Sequence, residues 1–168
     1  AMVCTRFDEE SNEQLLSWCD ILVIGPGLGT SGASREREQW FLTAAAREKK
    51  PLILDADGLN LLAMHPQWKE FLGENVILTP HIGEMSRLCG RTISEIQGTI
   101  AQTAVDYAKE TGTVCVLKDA CTVITDGKGD LYLNLSGNSG MATAGSGDVL
   151  SGLLAGVLSM YLKTEEHP

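Results

Sequence analysis

Four short apolar runs recur along the chain, and each leads into glycine, proline or aspartate. They occupy residues 19–25 (CDILVIG), 51–57 (PLILDAD), 75–80 (NVILTP) and 113–119 (TVCVLKD). Runs of this length with no polar alternation predict strands buried on both faces, as in a parallel sheet. Helical stretches separate them. Ser34 is expected to cap a helix running to about Lys50, with Trp40, Phe41, Ala44 and Ala45 as its inner stripe. A second long helix is predicted from Ile93 to about Thr111, stopped by Gly112. The rhythm changes over 122–137 (TVITDGKGDLYLNLSG), where apolar and polar residues alternate about an Asp-Gly pair, the pattern of a β-hairpin. A last helix follows over 145–160, its glycines spaced for close packing on the sheet. Strands alternating with helices, then one late hairpin, make an α/β domain with a mostly parallel sheet flanked by helices.

No repeat, low-complexity segment or internal linker divides the sequence, so 1–168 reads as one domain. Residues 1–12 are polar and look like neither a first strand nor an N-terminal cap, and the chain stops soon after its last helix. An incomplete domain is therefore expected, and its open sheet edges favour self-association into a homo-oligomer.

Composition narrows the function. With 43% hydrophobic and 21% charged residues the chain has the make-up of a soluble globular protein. A formal net charge of −9 argues against nucleic acid, whose phosphates are held by surplus Lys and Arg. A small anion remains possible, because loop amides bind anions whatever the net charge. The five cysteines form no CxxC pair, and Cys115 and Cys121 lie in or beside apolar runs, so free thiols in a reducing compartment are expected. The start lacks the pattern of a signal peptide. The longest apolar tract, 149–162, is broken by Gly152, Gly156 and Ser159 and is too short to span a bilayer. A cytoplasmic protein without a membrane partner is expected.

Candidate chemistry collects where strands lead into helices, the ligand side of a parallel α/β sheet. The stretch GPGLGTSG (25–32) has four glycines that either make a tight turn or let backbone approach a ligand; it is not a dinucleotide fingerprint. In DADGLN, Asp57 reads first as a helix N-cap, whereas Asp55 at an apolar strand end needs a partner or solvent. In TPHIGE, His81 and Glu84 fall three apart, on one face of a helix beginning there. In AGSGD, Gly145, Ser146 and Gly147 present free amides at a helix N-terminus, an anion site. Asp148 among them is either a favourable helix-end charge or a general base that takes a proton from a hydroxyl while the amides hold a transferring phosphoryl group.

Together these motifs resemble a known family. AGSGD resembles the GxGD signature of the ribokinase-like superfamily. The ordered set VIGPGLG, LDADGLNLL, LTPHIGEMSRL, VLKDACTVI and NSGMATAGSGDVLSGLLAG, covering about 15–158, is similar to the ADP/ATP-dependent NAD(P)H-hydrate dehydratases. The resemblance implies repair of NADH or NADPH hydrated on the nicotinamide ring. The new hydroxyl is phosphorylated by ADP or ATP, and phosphate then leaves to restore the reduced ring. It implies that Asp148 activates the hydroxyl and that Gly145, Ser146 and Gly147 hold the transferring phosphate. Gly27 and Gly29 would approach the hydrate and His81 would contact it. Glu84, in the place of the superfamily's NxxE acid, would help hold Mg²⁺ through water. Lys118, Asp119, Ala120, Cys121 and Thr122, with Asn138 and the rest of the 138–143 loop, would form the nucleotide side. His81 stands where that superfamily motif has Asn, which fits the dehydratase branch. Family members also carry a further part of the sheet before VIGPGLG and more helix after LAGVL.

Two rivals remain open on sequence. One is a small-molecule kinase of the same superfamily, of the thiazole or hydroxymethylpyrimidine type, from which the TPHIGE and GPGLG pair points away. The other is a non-catalytic nucleotide-binding module, against which Asp148 and Glu84 argue.

Overall fold

The structure, a computed structural model, describes residues 8–138, 140 and 143–166. The elements run α1 (Glu9–Trp18), β1 (Leu22–Ile24), α2 (Gly32–Glu48), β2 (Leu52–Leu54), α3 (Ala56–Met64), a 3₁₀ turn (Pro66–Phe71), β3 (Val76–Leu78), α4 (Ile82–Cys89), α5 (Ile93–Gln97), α6 (Ile100–Thr111), β4 (Val114–Leu117), the hairpin β5 (Thr122–Thr125) and β6 (Leu131–Asn134), and α7 (Ser146–Glu166).

The six strands lie side by side in chain order; β1 to β4 are parallel, and β5 and β6 continue the sheet antiparallel. Strands that step in one direction with right-handed crossovers put their connecting helices on a single face. Alternation along each strand identifies it. Leu52, Leu54, Val76, Leu78, Cys115 and Leu117 share a core with Phe41, Leu42, Leu59, Leu62, Met85, Leu88 and Ala104 from the helices. The odd positions of β2 face the other way, and there Ser151 of α7 meets Asp55. Thus α7 lies on the opposite face of the sheet, near β1.

Several boundaries differ from the sequence reading, each for a local reason. Asp8 caps a first helix by accepting the Ser11 amide, so part of the polar 1–12 stretch is helical; residues 1–7 lie outside the described residues. Lys50 closes that helix by donating its ammonium to the carbonyls of Leu16 and Cys19. Helix α2 is capped by Ser31 rather than Ser34, whose buried hydroxyl instead donates to the Leu28 carbonyl (2.7 Å). The long helix expected over 93–111 is two helices, broken at Gly98 and Thr99, where the Thr99 amide turns in to the Ile96 carbonyl and Thr99 leaves the helical conformation (φ −143°, ψ 35°). Strand β1 is only partly covered on the face that carries α7, since Val23 remains exposed. Helix α7 runs six residues past the expected end, and its glycines do not pack on the sheet: a β-carbon at Gly152 or Gly156 would meet nothing within 4 Å. Val149, Leu153, Val157 and Met160 lie exposed along it. Among the described residues no helix is long and apolar enough to cross a membrane, and the four described cysteines are free thiols.

Candidate functional site

The site grows from the C-terminal end of β2. There Gly25, at the end of β1, presses so closely on Asp55 that an added β-carbon would lie 1.7 Å from the Asp55 carbonyl oxygen. Only glycine fits, and its φ of +121° is one that glycine alone adopts easily. Asp55 holds the N-cap position of α3 but makes no cap bond. Its carboxylate turns away, accepting from Lys118 Nζ at 2.9 Å on Oδ1 and from Ser151 Oγ at 2.8 Å on Oδ2. It is 2% exposed. Burial pushes its carboxyl up, but the Lys118 and Ser151 hydrogen bonds and the Lys118 charge outweigh that and hold it below the ordinary aspartate value. The sequence-level demand that Asp55 find a partner is met twice.

Asp57, expected as the N-cap, lies instead in the first turn of α3. Its Oδ2 accepts the Gly29 amide at 2.9 Å and its Oδ1 accepts from Asn60, whose own oxygen takes the Arg87 guanidinium. The GPGLG loop is thereby tied to DADGLN. Gly29 is engaged through its amide, while Gly27 stands exposed at φ +66°.

TPHIGE forms the start of α4 and brings His81 and Glu84 together. His81 is the N-cap: its Nδ1 accepts the amides of Gly83 (2.9 Å) and Glu84 (3.3 Å), and Glu84 Oε2 accepts the His81 amide (2.8 Å). An accepting Nδ1 leaves the proton on Nε2, which faces Glu84 Oε1 at 3.3 Å. The pair is therefore a reciprocal helix cap as well as a candidate contact. The imidazole remains half exposed, whereas Glu84 is buried. That burial raises its carboxyl, against the lowering effect of the His81 amide and charge.

Lys118 joins this loop to the next, for its amide donates to the Pro80 carbonyl (2.7 Å) and it pairs with His81 as an isolated parallel bridge. Asp119 and Ala120 form the exposed turn after it, and half-buried Cys121 and Thr122 lead into β5. Gly147, in the first turn of α7, comes close: a β-carbon there would stand 3.6 Å from Asp55 Oδ2 and 3.9 Å from Lys118 Nζ. The amide of Ser146 is spent on the Thr143 carbonyl and that of Val149 on the Gly145 carbonyl, whereas the amides of Gly145, Gly147 and Asp148 donate to no backbone carbonyl among the described residues. The Asp148 carboxylate is exposed beside them. Asn138 turns its side chain onto its own loop, accepting the Gly140 amide; Ser139, Met141 and Ala142 of the 138–143 loop lie outside the described residues.

Two participants escaped the sequence reading. Ser151 looked like one more small residue of a helix, and only its burial beneath Asp55 sets it apart. Glu38, in the middle of α2, is completely buried with neither carboxyl oxygen hydrogen-bonded. Burial, with the charge of Asp57, pushes it up to about 8. Among the described residues no three His, Cys, Asp or Glu side chains cluster as a metal cage. A single carboxylate such as Glu84 still suits Mg²⁺, which commonly takes one or two carboxylates and completes its shell with phosphates and water.

The architecture matches solved structures. A ribokinase-like superfamily protein from Enterococcus faecalis aligns at TM-score 0.71 and 32% identity, over 85% of this chain and 48% of that one. The hydroxyethylthiazole kinase of Pyrococcus horikoshii aligns at 0.70 but only 20% identity, a likeness of fold alone. The fold is thus ribokinase-like. Within that class, residues 1–167 match the family profile described as NAD(P)H-hydrate dehydratase, and the chain belongs to that family. It is 42% identical over 147 residues to the bifunctional NAD(P)H-hydrate repair enzyme of Thermofilum pendens, covering 88% of this chain and 28% of the relative. It is 37% identical to the ADP-dependent (S)-NAD(P)H-hydrate dehydratase of Neisseria meningitidis, over 82% of this chain and 46% of the relative. A Bacillus subtilis ADP/ATP-dependent NAD(P)H-hydrate dehydratase, co-crystallised with ATP/Mg²⁺ and soaked with CoA, aligns at TM-score 0.66 and 35% identity, over 83% of this chain and 48% of that one. The chain thus spans between about a quarter and a half of the length of these relatives.

Proposed function

We propose that the protein acts in ADP- or ATP-dependent dehydration of hydrated NADH or NADPH. The observation that carries this reading is the approach of the α7 first turn to Lys118. It brings the glycine-rich AGSGD turn and the lysine of LKDACT side by side at the C-terminal end of the parallel strands. Membership of the family supports the choice of substrate.

In this reading the amides of Gly145, Gly147 and Asp148 and the Lys118 ammonium hold the phosphoryl group in transfer. Donors fixed before the reaction stabilise charge that develops during it. Asp148 accepts the proton of the ring hydroxyl, whose oxygen takes the terminal phosphoryl group of the donor. That group then leaves with the oxygen as phosphate while the adjacent ring carbon releases a proton to solvent, and the electrons of that C–H bond re-form the ring double bond. Gly27 and Gly29 let the loop backbone lie against the hydrate, and the half-exposed His81 contacts it. Lys118, Asp119, Ala120, Cys121, Thr122 and Asn138 line the nucleotide side. Mg²⁺, when bound, would draw charge from the phosphates; Glu84 would hold it through water.

The test is a coupled assay on the full-length protein with each donor in the presence and absence of hydrated NADH or NADPH. Nucleotide consumption and recovery of reduced-nicotinamide absorbance only with the hydrate are expected. Phosphorylation of a thiazole or pyrimidine alcohol, with no response to hydrate, would overturn the reading.

A further inference from the structure

We propose that Asp55 is a positioning residue: it clasps Lys118 from the sheet and Ser151 from α7, and so fixes the Lys118 ammonium opposite the amides of Gly147 and Asp148. The inference rests on reading this end of the sheet as a phosphate site. Strand alternation puts Asp55, two beyond Ile53, and Lys118, two beyond Val116, on the face that carries α7. Gly147 and Ser151 are four apart in α7, and therefore on one helix face. One carboxylate thus spans both layers, an oxygen to each.

The local backbone shows what this arrangement costs. Asp55 stands at an N-cap yet forgoes the stabilising cap bond. The next residue, Ala56, sits at φ +47°, a left-handed conformation that a residue with a β-carbon rarely holds. Gly25 locks the Asp55 backbone from behind. Strain of this kind persists where the surroundings over-determine it, and it concentrates at functional sites.

Electrostatics makes the choice of residue informative. A carboxylate next to a phosphate site repels the ligand, so it belongs there only if it does something else. Paired with Lys118 it forms a neutral unit, and it takes one of the ammonium's three protons, leaving two to be aimed at an anion. The Ser151 hydroxyl, 1% exposed, holds α7 at the matching height.

The test is calorimetric titration with inorganic pyrophosphate, well below each melting temperature, for the unsubstituted protein, Asp55→Asn and Ser151→Ala. Positioning predicts that each variant binds about tenfold more weakly, a loss of roughly 1.4 kcal/mol. Simple charge removal predicts the opposite sign for Asp55→Asn, and a merely structural role predicts lower melting temperatures with unchanged affinity. The inference stands only if every variant that folds loses affinity; unchanged or tighter binding overturns it. Should Asp55→Asn fail to fold, Ser151→Ala decides alone. Pyrophosphate binding that behaves as expected, without hydrate-dependent nucleotide use, would overturn the functional reading and leave this one standing. No binding by the unsubstituted protein would overturn the inference itself.

Discussion

Asp148 carries the sharpest prediction at the residue scale. Its carboxylate is exposed at the start of α7, beside the amides of Gly145, Gly147 and its own. If it is the base, Asp148→Asn keeps size and polarity but cannot take up the proton, and turnover should fall by roughly 10²–10⁴-fold. Nucleotide affinity should hold or rise slightly, since a negative charge near the phosphates is gone. Were it only a helix-end charge, the change would cost about 1 kcal/mol or less of stability and spare the rate. Steady-state kinetics on a folded variant of the full-length protein separates the two. Glu38 makes a different kind of prediction. Its carboxyl is raised to about 8 in the fold, against a value near 4.3 when unfolded. Between those values the folded state keeps a proton that the unfolded state releases, so stability is full at low pH and declines as pH rises toward 8. The slope approaches about 1.4 kcal/mol per pH unit for one proton. Glu38→Gln, which stays neutral, should remove this decline and melt higher at pH 8 by denaturant titration. The same fall with pH in the Gln variant would assign the dependence to other groups.

Among the elements, α7 does the most. Its first turn offers the amides of Gly147 and Asp148 with the positive end of the helix dipole, and an ammonium stands nearby. Phosphate or ADP soaked into crystals should occupy this end. An anion bound only elsewhere at high concentration would count against the site. The sequence showed the glycine-rich start of α7 and its apolar run, but not which side would be buried. Its glycine spacing suggested packing on the sheet, whereas Ser151 is the residue buried there and Gly152 and Gly156 face outward. The TPHIGE element was read as one helix face and proves to be a full reciprocal cap. Histidine is an uncommon N-cap, so its three-residue spacing to Glu84 was legible while its capping role was not.

The whole molecule exposes apolar surface on two elements. Val149, Leu153, Val157, Met160 and Tyr161 line α7, and Leu131, Tyr132, Leu133 and Leu135 lie on β6 and just beyond it. Surfaces of this kind drive association. These 168 residues should therefore self-associate in a concentration-dependent way by sedimentation velocity, and a monodisperse monomer at high concentration would contradict that. The matched relatives are roughly two to three times as long as this chain, so turnover of the hydrate by these residues alone should be poor. Full activity from them would show that the site needs nothing more.

Local pattern by itself determined much of this protein. The four apolar runs became four parallel strands, and β2 to β4 are largely buried on both faces and so have no polar alternation to offer, whereas β1 leaves Val23 exposed. The Asp-Gly turn became the hairpin, and the ordered motifs were enough to identify the family. Only the tertiary structure decided who meets whom. Asp55 and Lys118 are 63 residues apart and Asp55 and Ser151 are 96 apart, and no short-range signal encodes a partner at that distance. The capping of α2 by Ser31, the break at Gly98 and the burial of Glu38 were settled in the same way. Each is a competition among several locally acceptable arrangements, and the packing of one layer against another selects the winner.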